Sequence, residues 1–170
     1  MKKKERISFY EKSLDRVNAW LQFAEAKHAA AIAFSIAALA VIYEERIELY
    51  LSFKILLTVG YVISISISLA SFLPVFQIDT ESEQGGHLEE DNMFYWKDVC
   101  KYSVDSFMER VNREIFDKPG RSPKKVEKLL AKEIIANARI ANRKYMLFRY
   151  SIFTLVFVTV LLPIFLFITA

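Results

Sequence analysis

Two stretches of this chain, residues 55–76 and 150–170, contain no charged side chain at all. At about 1.5 Å rise per residue they reach roughly 33 and 31 Å as helices, against a hydrocarbon core about 30 Å thick. A soluble domain of 170 residues has room to bury one such helix, hardly two. A third apolar run, residues 28–43, reaches only roughly 24 Å. It extends back to Ala24 if Lys27 lays its alkyl stem in the apolar layer and carries its ammonium to the headgroups. The alternative is a buried hairpin that stops short of crossing. The expected spans are 24–43, 55–76 and 147–169. The fold class is all-α: a helical membrane protein with three transmembrane helices and a small cytosolic helical bundle continuous with the first and third spans.

Orientation follows from the basic residues. Lys2, Lys3, Lys4, Arg6, Lys12, Arg16 and Lys27 precede the first span, and the connection over residues 77–146 carries a series of lysines and arginines from Lys97 to Lys144. The short turn at Glu44, Glu45, Arg46 and Glu48 has one basic residue, with Lys54 at its edge. Positive charge collects on the cytosolic side, so the N-terminus and residues 77–146 are expected there and the C-terminus outside. The net charge of +3 averages over this segregation. Met1-Lys2-Lys3-Lys4 looks like the start of a secretory signal, but no apolar run follows directly, so no cleaved leader is expected. The single cysteine, Cys100, excludes an internal disulfide framework and fits a reducing compartment.

Within the connection, residues 79–91 are acidic and contain Gly85 and Gly86, which reads as a mobile linker. Residues 92–116 space their apolar side chains as an amphipathic helix broken near Ser103. Ser122-Pro123 reads as an N-cap and first helical position of a long helix that covers 123–146 and continues into the third span, with a kink at Pro163.

No enzyme is expected. His28 and His87 stand apart, and neither a clustered ligand set, a glycine-rich phosphate loop nor a nucleophile with its base is visible, so the expected catalytic residues, metal and resident cofactor are none. The acidic segment could hold a divalent cation weakly or be a solvated charge run. Gly60, Ser64, Ser68 and Ser71 recur every three or four residues. They form a face that either packs against another helix or lines a polar path. The alanines at 26, 29, 30, 33, 37 and 40 suggest close packing of the first span in the same way. Arg139, Asn142, Arg143 and Arg149 with Met146, and Asn137 with Lys144, could receive a small anion. Phe94, Trp96, Tyr102 or Tyr145 could stack on its base. Anchoring at the membrane interface explains Arg143, Lys144 and Arg149 equally well.

Three blocks resemble a known family: AEAKHAAAIAFSIAALA at 24–40, MFYWKDVCKYSVDSFMERV at 93–111 and IIANARIANRKYMLFRYSIF at 134–153. In this order they resemble the small transmembrane effectors of the bacterial pyrimidine cyclase system for antiphage resistance, Pycsar. The resemblance implies an inner-membrane effector, silent until a phage-triggered cyclase makes a cyclic pyrimidine mononucleotide, cyclic UMP or cyclic CMP. Binding would then drive assembly or rearrangement of a homo-oligomer that impairs the membrane and arrests growth, an abortive infection. On this reading Lys27, Arg139, Asn142 and Lys144 converge near the inner leaflet as the ligand site. Related modules serve cyclic oligonucleotides, which stays open as the trigger. A non-enzymatic scaffold, binding a partner through its cytosolic bundle, is the competing class. No nucleic acid polymer is expected as a partner.

Overall fold

The computed structural model describes residues 3–44, 49–75, 77–86 and 88–169. The residues of the short turn at 45–48, Phe76, His87 and the chain ends at Met1, Lys2 and Ala170 lie outside the described residues. The elements are α1 (Lys3–Ile42), α2 (Leu51–Ala70), α3 (Trp96–Val99), α4 (Val104–Glu114) and α5 (Lys125–Thr169), with no strand among the described residues. Three of them, α1, α2 and α5, are long and apolar enough to cross a membrane. Contacts divide the chain into two compact units. One, here the charged unit, combines α1 up to Phe23 with Val75–Arg143. The other, the membrane unit, combines Ala24–Pro74 with the chain from Lys144 onward.

In the membrane unit, Ile42, Leu57, Tyr61 and Val158 form an apolar cluster flanked by Phe53 and Leu162. A Cβ on Gly60 would overlap the Cγ1 of Val158, so the missing side chain is what lets α2 and α5 touch. One turn on, Ser64 and Ser68 meet Ser151, with hydroxyl separations of 2.9 and 2.7 Å. Ser151 Oγ also donates to the Ser64 carbonyl at 3.0 Å. Gly60, Ser64, Ser68 and Ser71 are all buried, so the small-residue face of α2 is a packing face in this arrangement. The first span differs from expectation. Its buried positions are Ala24, His28, Ala31, Ser35 and Ile42, while the alanines at 26, 29, 30, 33, 37 and 40 are exposed. The inward stripe follows the polar groups of His28 and Ser35, which need partners away from hydrocarbon, and Ser35 donates to the Ala31 carbonyl.

The second helix is also shifted from 55–76. It begins at Leu51 and ends at Ala70, because Pro74 disfavours helical backbone at the residue before it and the chain turns at Ser71. Twenty residues still span about 30 Å. The third-span helix runs through Pro163 to Thr169.

The charged unit has its own core, led by Tyr10, Val99, Tyr102, Phe107, Ile134 and Ile135. The expected amphipathic helix is two elements. Ser103 caps α4 through a reciprocal pair with Ser106, and Val104, Phe107, Met108 and Val111 then turn inward at helical spacing. The long helix starts at Lys125, two residues beyond the expected proline position. Its start is stabilised by Glu127, which accepts the Lys124 backbone N–H and pairs with Arg121, each at 3.1 Å. Arg6 donates to Asn112, lies 3.6 Å from Glu127 and sits 4.0 Å over the Phe116 ring.

Residues 79–91 are not a free linker. Arg110 donates to the carbonyls of Leu88 and Glu89, and the Gln84 N–H donates to the Lys101 carbonyl at 2.7 Å. Asp91 is buried, accepting from Lys101 at 2.6 Å, the Leu88 N–H at 3.0 Å and the Tyr102 hydroxyl at 3.1 Å. Burial pushes its carboxyl up. These donors outweigh it and hold the group below the usual aspartate range. Burial and the bond to Asp91 push the Tyr102 phenol up to about 12.

Two outcomes follow from these contacts. Gly60→Val should force α2 from α5, costing about 1–3 kcal/mol in detergent-solubilised protein, with partial rescue by Val158→Ala. Thermal unfolding of both variants checks this. Asp91→Asn should cost about 1–3 kcal/mol at pH 7. A depressed carboxylate contributes stability in full above its unfolded value, about 3.9, and loses it as pH falls through the lower folded value. The difference between wild type and variant should therefore close in acid, read by the fluorescence of Trp20 and Trp96.

Candidate functional site

On α5, Arg139, Ile140 and Arg143 share a face, three to four residues being one helical turn. With Val75, Gln77, Ile78, Asp79 and Gln84 they line a cavity of about 210 Å³ inside the charged unit. The wall is mixed: aliphatic side chains at Val75, Ile78 and Ile140, amides at Gln77 and Gln84, and guanidinium groups at Arg139 and Arg143.

The two arginines differ in what they are free to do. Arg139 is buried, and its guanidinium gathers four backbone carbonyls. Nε donates to Cys100 at 3.1 Å, one terminal nitrogen donates to Asp79, and the other donates to Ser82 at 2.6 Å and Tyr102 at 2.8 Å. A guanidinium has five N–H donors in a fixed fork, so little remains for a ligand. Arg143 is exposed and has no hydrogen bond or ion pair among the described residues. Asn142, half-buried, is likewise without a partner among them. Arg143 is therefore the cation of this cavity able to fork onto an anion.

Asp79 is the opposing charge. Its carboxylate accepts the Ser82 hydroxyl and the backbone N–H groups of Glu81 and Ser82, which hold it below the usual range. It is ionised at neutral pH and sets a negative charge in the cavity wall opposite the guanidinium groups.

The four residues expected to converge belong to different units. Arg139 and Asn142 lie in the charged unit, Lys27 and Lys144 in the membrane unit. Lys144 is buried, with Nζ 3.0 Å from Glu25 Oε1 and 2.9 Å from the Ser71 carbonyl, and 5.4 Å over the Phe72 ring. The Lys144 carbonyl meets His28 Nε2 at 3.0 Å. Lys27 stands over the rings of Tyr145 and Phe148 at 5.1 and 5.5 Å, within cation–π range. Each of these cations is engaged within its own unit. Asn137, expected beside Lys144, donates to Asn18 at 2.8 Å.

None of the aromatic residues suggested for base stacking lines the cavity. Tyr102 and Trp96 are buried, while Phe94 is exposed and lies under the Arg16 guanidinium at 4.7 Å. Burial pushes the Cys100 thiol up, and the thiol donates to the Lys97 carbonyl, so thiolate chemistry is disfavoured there. Among the described residues no group of three or more His, Cys, Asp or Glu side chains could hold a metal. Sequence spacing drew attention to Arg139 and missed Gln77 and Gln84, which enter the site from an irregular segment.

Arg139→Gln should leave buried carbonyls unpaired and cost about 2–4 kcal/mol. Amide exchange at Gln84 should accelerate with it, and unchanged protection would contradict the anchoring role.

A family model described as the Pycsar effector protein domain matches residues 9–170. No curated protein matches the chain. No solved structure matches it either. The match covers nearly the whole chain and meets three helices long enough to span a bilayer. The chain therefore belongs to the Pycsar effector family, and is an antiphage membrane effector.

Proposed function

We propose that this effector is triggered by a cyclic pyrimidine mononucleotide, cyclic UMP or cyclic CMP, bound in the cavity beside α5. The observation that carries the reading is Arg143, a guanidinium without a partner among the described residues, at a cavity whose wall also offers two amides and an aliphatic surface. A cyclic phosphate suits the guanidinium, a pyrimidine edge suits Gln77 and Gln84, and ribose suits the aliphatic wall. The volume of about 210 Å³ is below the usual range for drug-sized ligands, which favours a mononucleotide over a cyclic oligonucleotide.

The protein resides in the bacterial inner membrane, with the N-terminus and residues 77–146 cytosolic and the C-terminus outside, as the basic residues favour. It acts without catalysis. Three spans enclose little water, so the lesion requires a homo-oligomer. A ligand shifts such an equilibrium only through its differential affinity, and moving it from 1:99 to 99:1 takes about 5.5 kcal/mol. Arg143 and Arg139 lie on the helix that becomes the third span, so a ligand held there loads α5 itself.

Membrane potential in cells carrying the protein and an inducible pyrimidine cyclase tests this reading. Depolarisation should require both. Arg143→Gln should weaken cyclic nucleotide binding by the full-length protein about tenfold or more and abolish depolarisation, with expression and helicity unchanged. A full response in that variant would remove the site. No depolarisation with either nucleotide would favour a cyclic oligonucleotide or the scaffold role.

A further inference from the structure

A second concavity lies on the membrane unit and has a different chemistry. It measures about 590 Å³ and is lined by Arg149, Tyr150, Ile152, Phe153 and Val156, all from one stretch of α5. Bounded by a single helix face, it is an open surface concavity and not an enclosed pocket. Its polarity is ordered along the helix. Arg149 is the last charged side chain before residues 150–170, and Tyr150 follows it with a phenol. The remaining wall is apolar, and Phe153 is 74% exposed.

Arg149 is exposed and has no hydrogen bond or ion pair among the described residues. A guanidinium at the edge of a membrane span calls for an anion at headgroup depth. The same stretch of α5 cannot supply one, because no Asp or Glu follows Glu133, and Glu25 of the membrane unit is engaged with Lys144. A second copy laid along the same stretch of α5 would bring the same arginine and no acid from that stretch, setting like charges together. A phospholipid has the matching order, with a phosphate first and acyl chains below.

We propose that this groove is a binding site for an anionic phospholipid, its phosphate on Arg149 and Tyr150 and an acyl chain along Ile152, Phe153 and Val156. The proposal rests on the membrane placement of α5 and is independent of the nucleotide reading. An interfacial arginine contributes enough to favour an anionic over a zwitterionic headgroup about fivefold.

The full-length protein is placed in vesicles of phosphatidylcholine and phosphatidylglycerol, in which one lipid at a time carries a photoreactive acyl chain. Adducts are counted by mass spectrometry on the peptide covering 149–156. Wild type should label with phosphatidylglycerol about fivefold more than with phosphatidylcholine. Arg149→Gln should lose that preference, Arg149→Lys should keep most of it, and Phe153→Ala should reduce labelling by both lipids. Equal labelling of wild type by the two lipids would overturn the proposal, and that comparison needs no variant to fold. So would an unchanged preference in Arg149→Gln, or protein–protein cross-links from Phe153→Cys in place of lipid adducts.

Discussion

The contact of Gly60 with Val158 is the condition on which the membrane unit depends. In hydrocarbon there is no hydrophobic drive between helices, so packing and hydrogen bonding must hold them. At Gly60 the absent Cβ admits a β-branched side chain of α5 that has few rotamers with which to retreat. The same approach brings Ser64 and Ser68 within 2.9 and 2.7 Å of Ser151 Oγ. A wider separation would lose both the dispersion contact and the hydroxyl bonds. Close packing and polar satisfaction are therefore one geometric event.

The charged unit faces the reverse problem. Residues 79–91 have almost no apolar side chains to bury. Their order comes from arginines that collect backbone carbonyls, Arg139 at Asp79 and Ser82 and Arg110 at Leu88 and Glu89. A guanidinium suits this because its donors are fixed in one plane and its charge strengthens each bond. The arrangement also explains why a conspicuous arginine need not be a ligand residue. Arg139 shapes the cavity by holding its cover, while Arg143, one turn on, has no hydrogen bond or ion pair among the described residues.

Two of the three long helices were legible because charge-free runs of about twenty residues have few other uses, whereas the first, apolar only over residues 28–43, depended on Lys27 carrying its ammonium to the headgroups. Helix ends were less so. Pro74 marked the stop of α2, and overlooking it extended the helix to Phe76. The start of α5 depends on Glu127 reaching back to Lys124 and Arg121, which outweighs the local preference at Ser122-Pro123. The acidic segment read as mobile because its partners, Arg110, Lys101 and Arg139, are distant in sequence. The inward face of α1 was misjudged for a related reason. Alanine frequency marked the outer face, whereas the buried one follows His28 and Ser35. The ligand expectation shared this weakness, since spacing along α5 cannot reveal which cations neighbouring segments have already engaged.

Polar groups inside the membrane unit also restrict how such a bundle can change. Ser64, Ser68, Ser71, Ser151, His28 and Lys144 are all buried. Among them His28 Nδ1 and Ser71 Oγ lack a protein partner among the described residues. Separating the helices into lipid would expose hydroxyls and an ammonium to hydrocarbon, at several kcal/mol for the charge alone. Separating them around water would solvate the same groups at little cost. The pair of Lys144 with Glu25, whose side chain is 44% exposed, is screened by solvent and contributes about 1 kcal/mol or less, small beside the roughly 5.5 kcal/mol that reversing a two-state equilibrium takes. Hydration of the released groups lowers that demand, whereas lipid exposure raises it. A separation of these helices that admits water along the serine face is thus cheaper than one that exposes the same face to lipid.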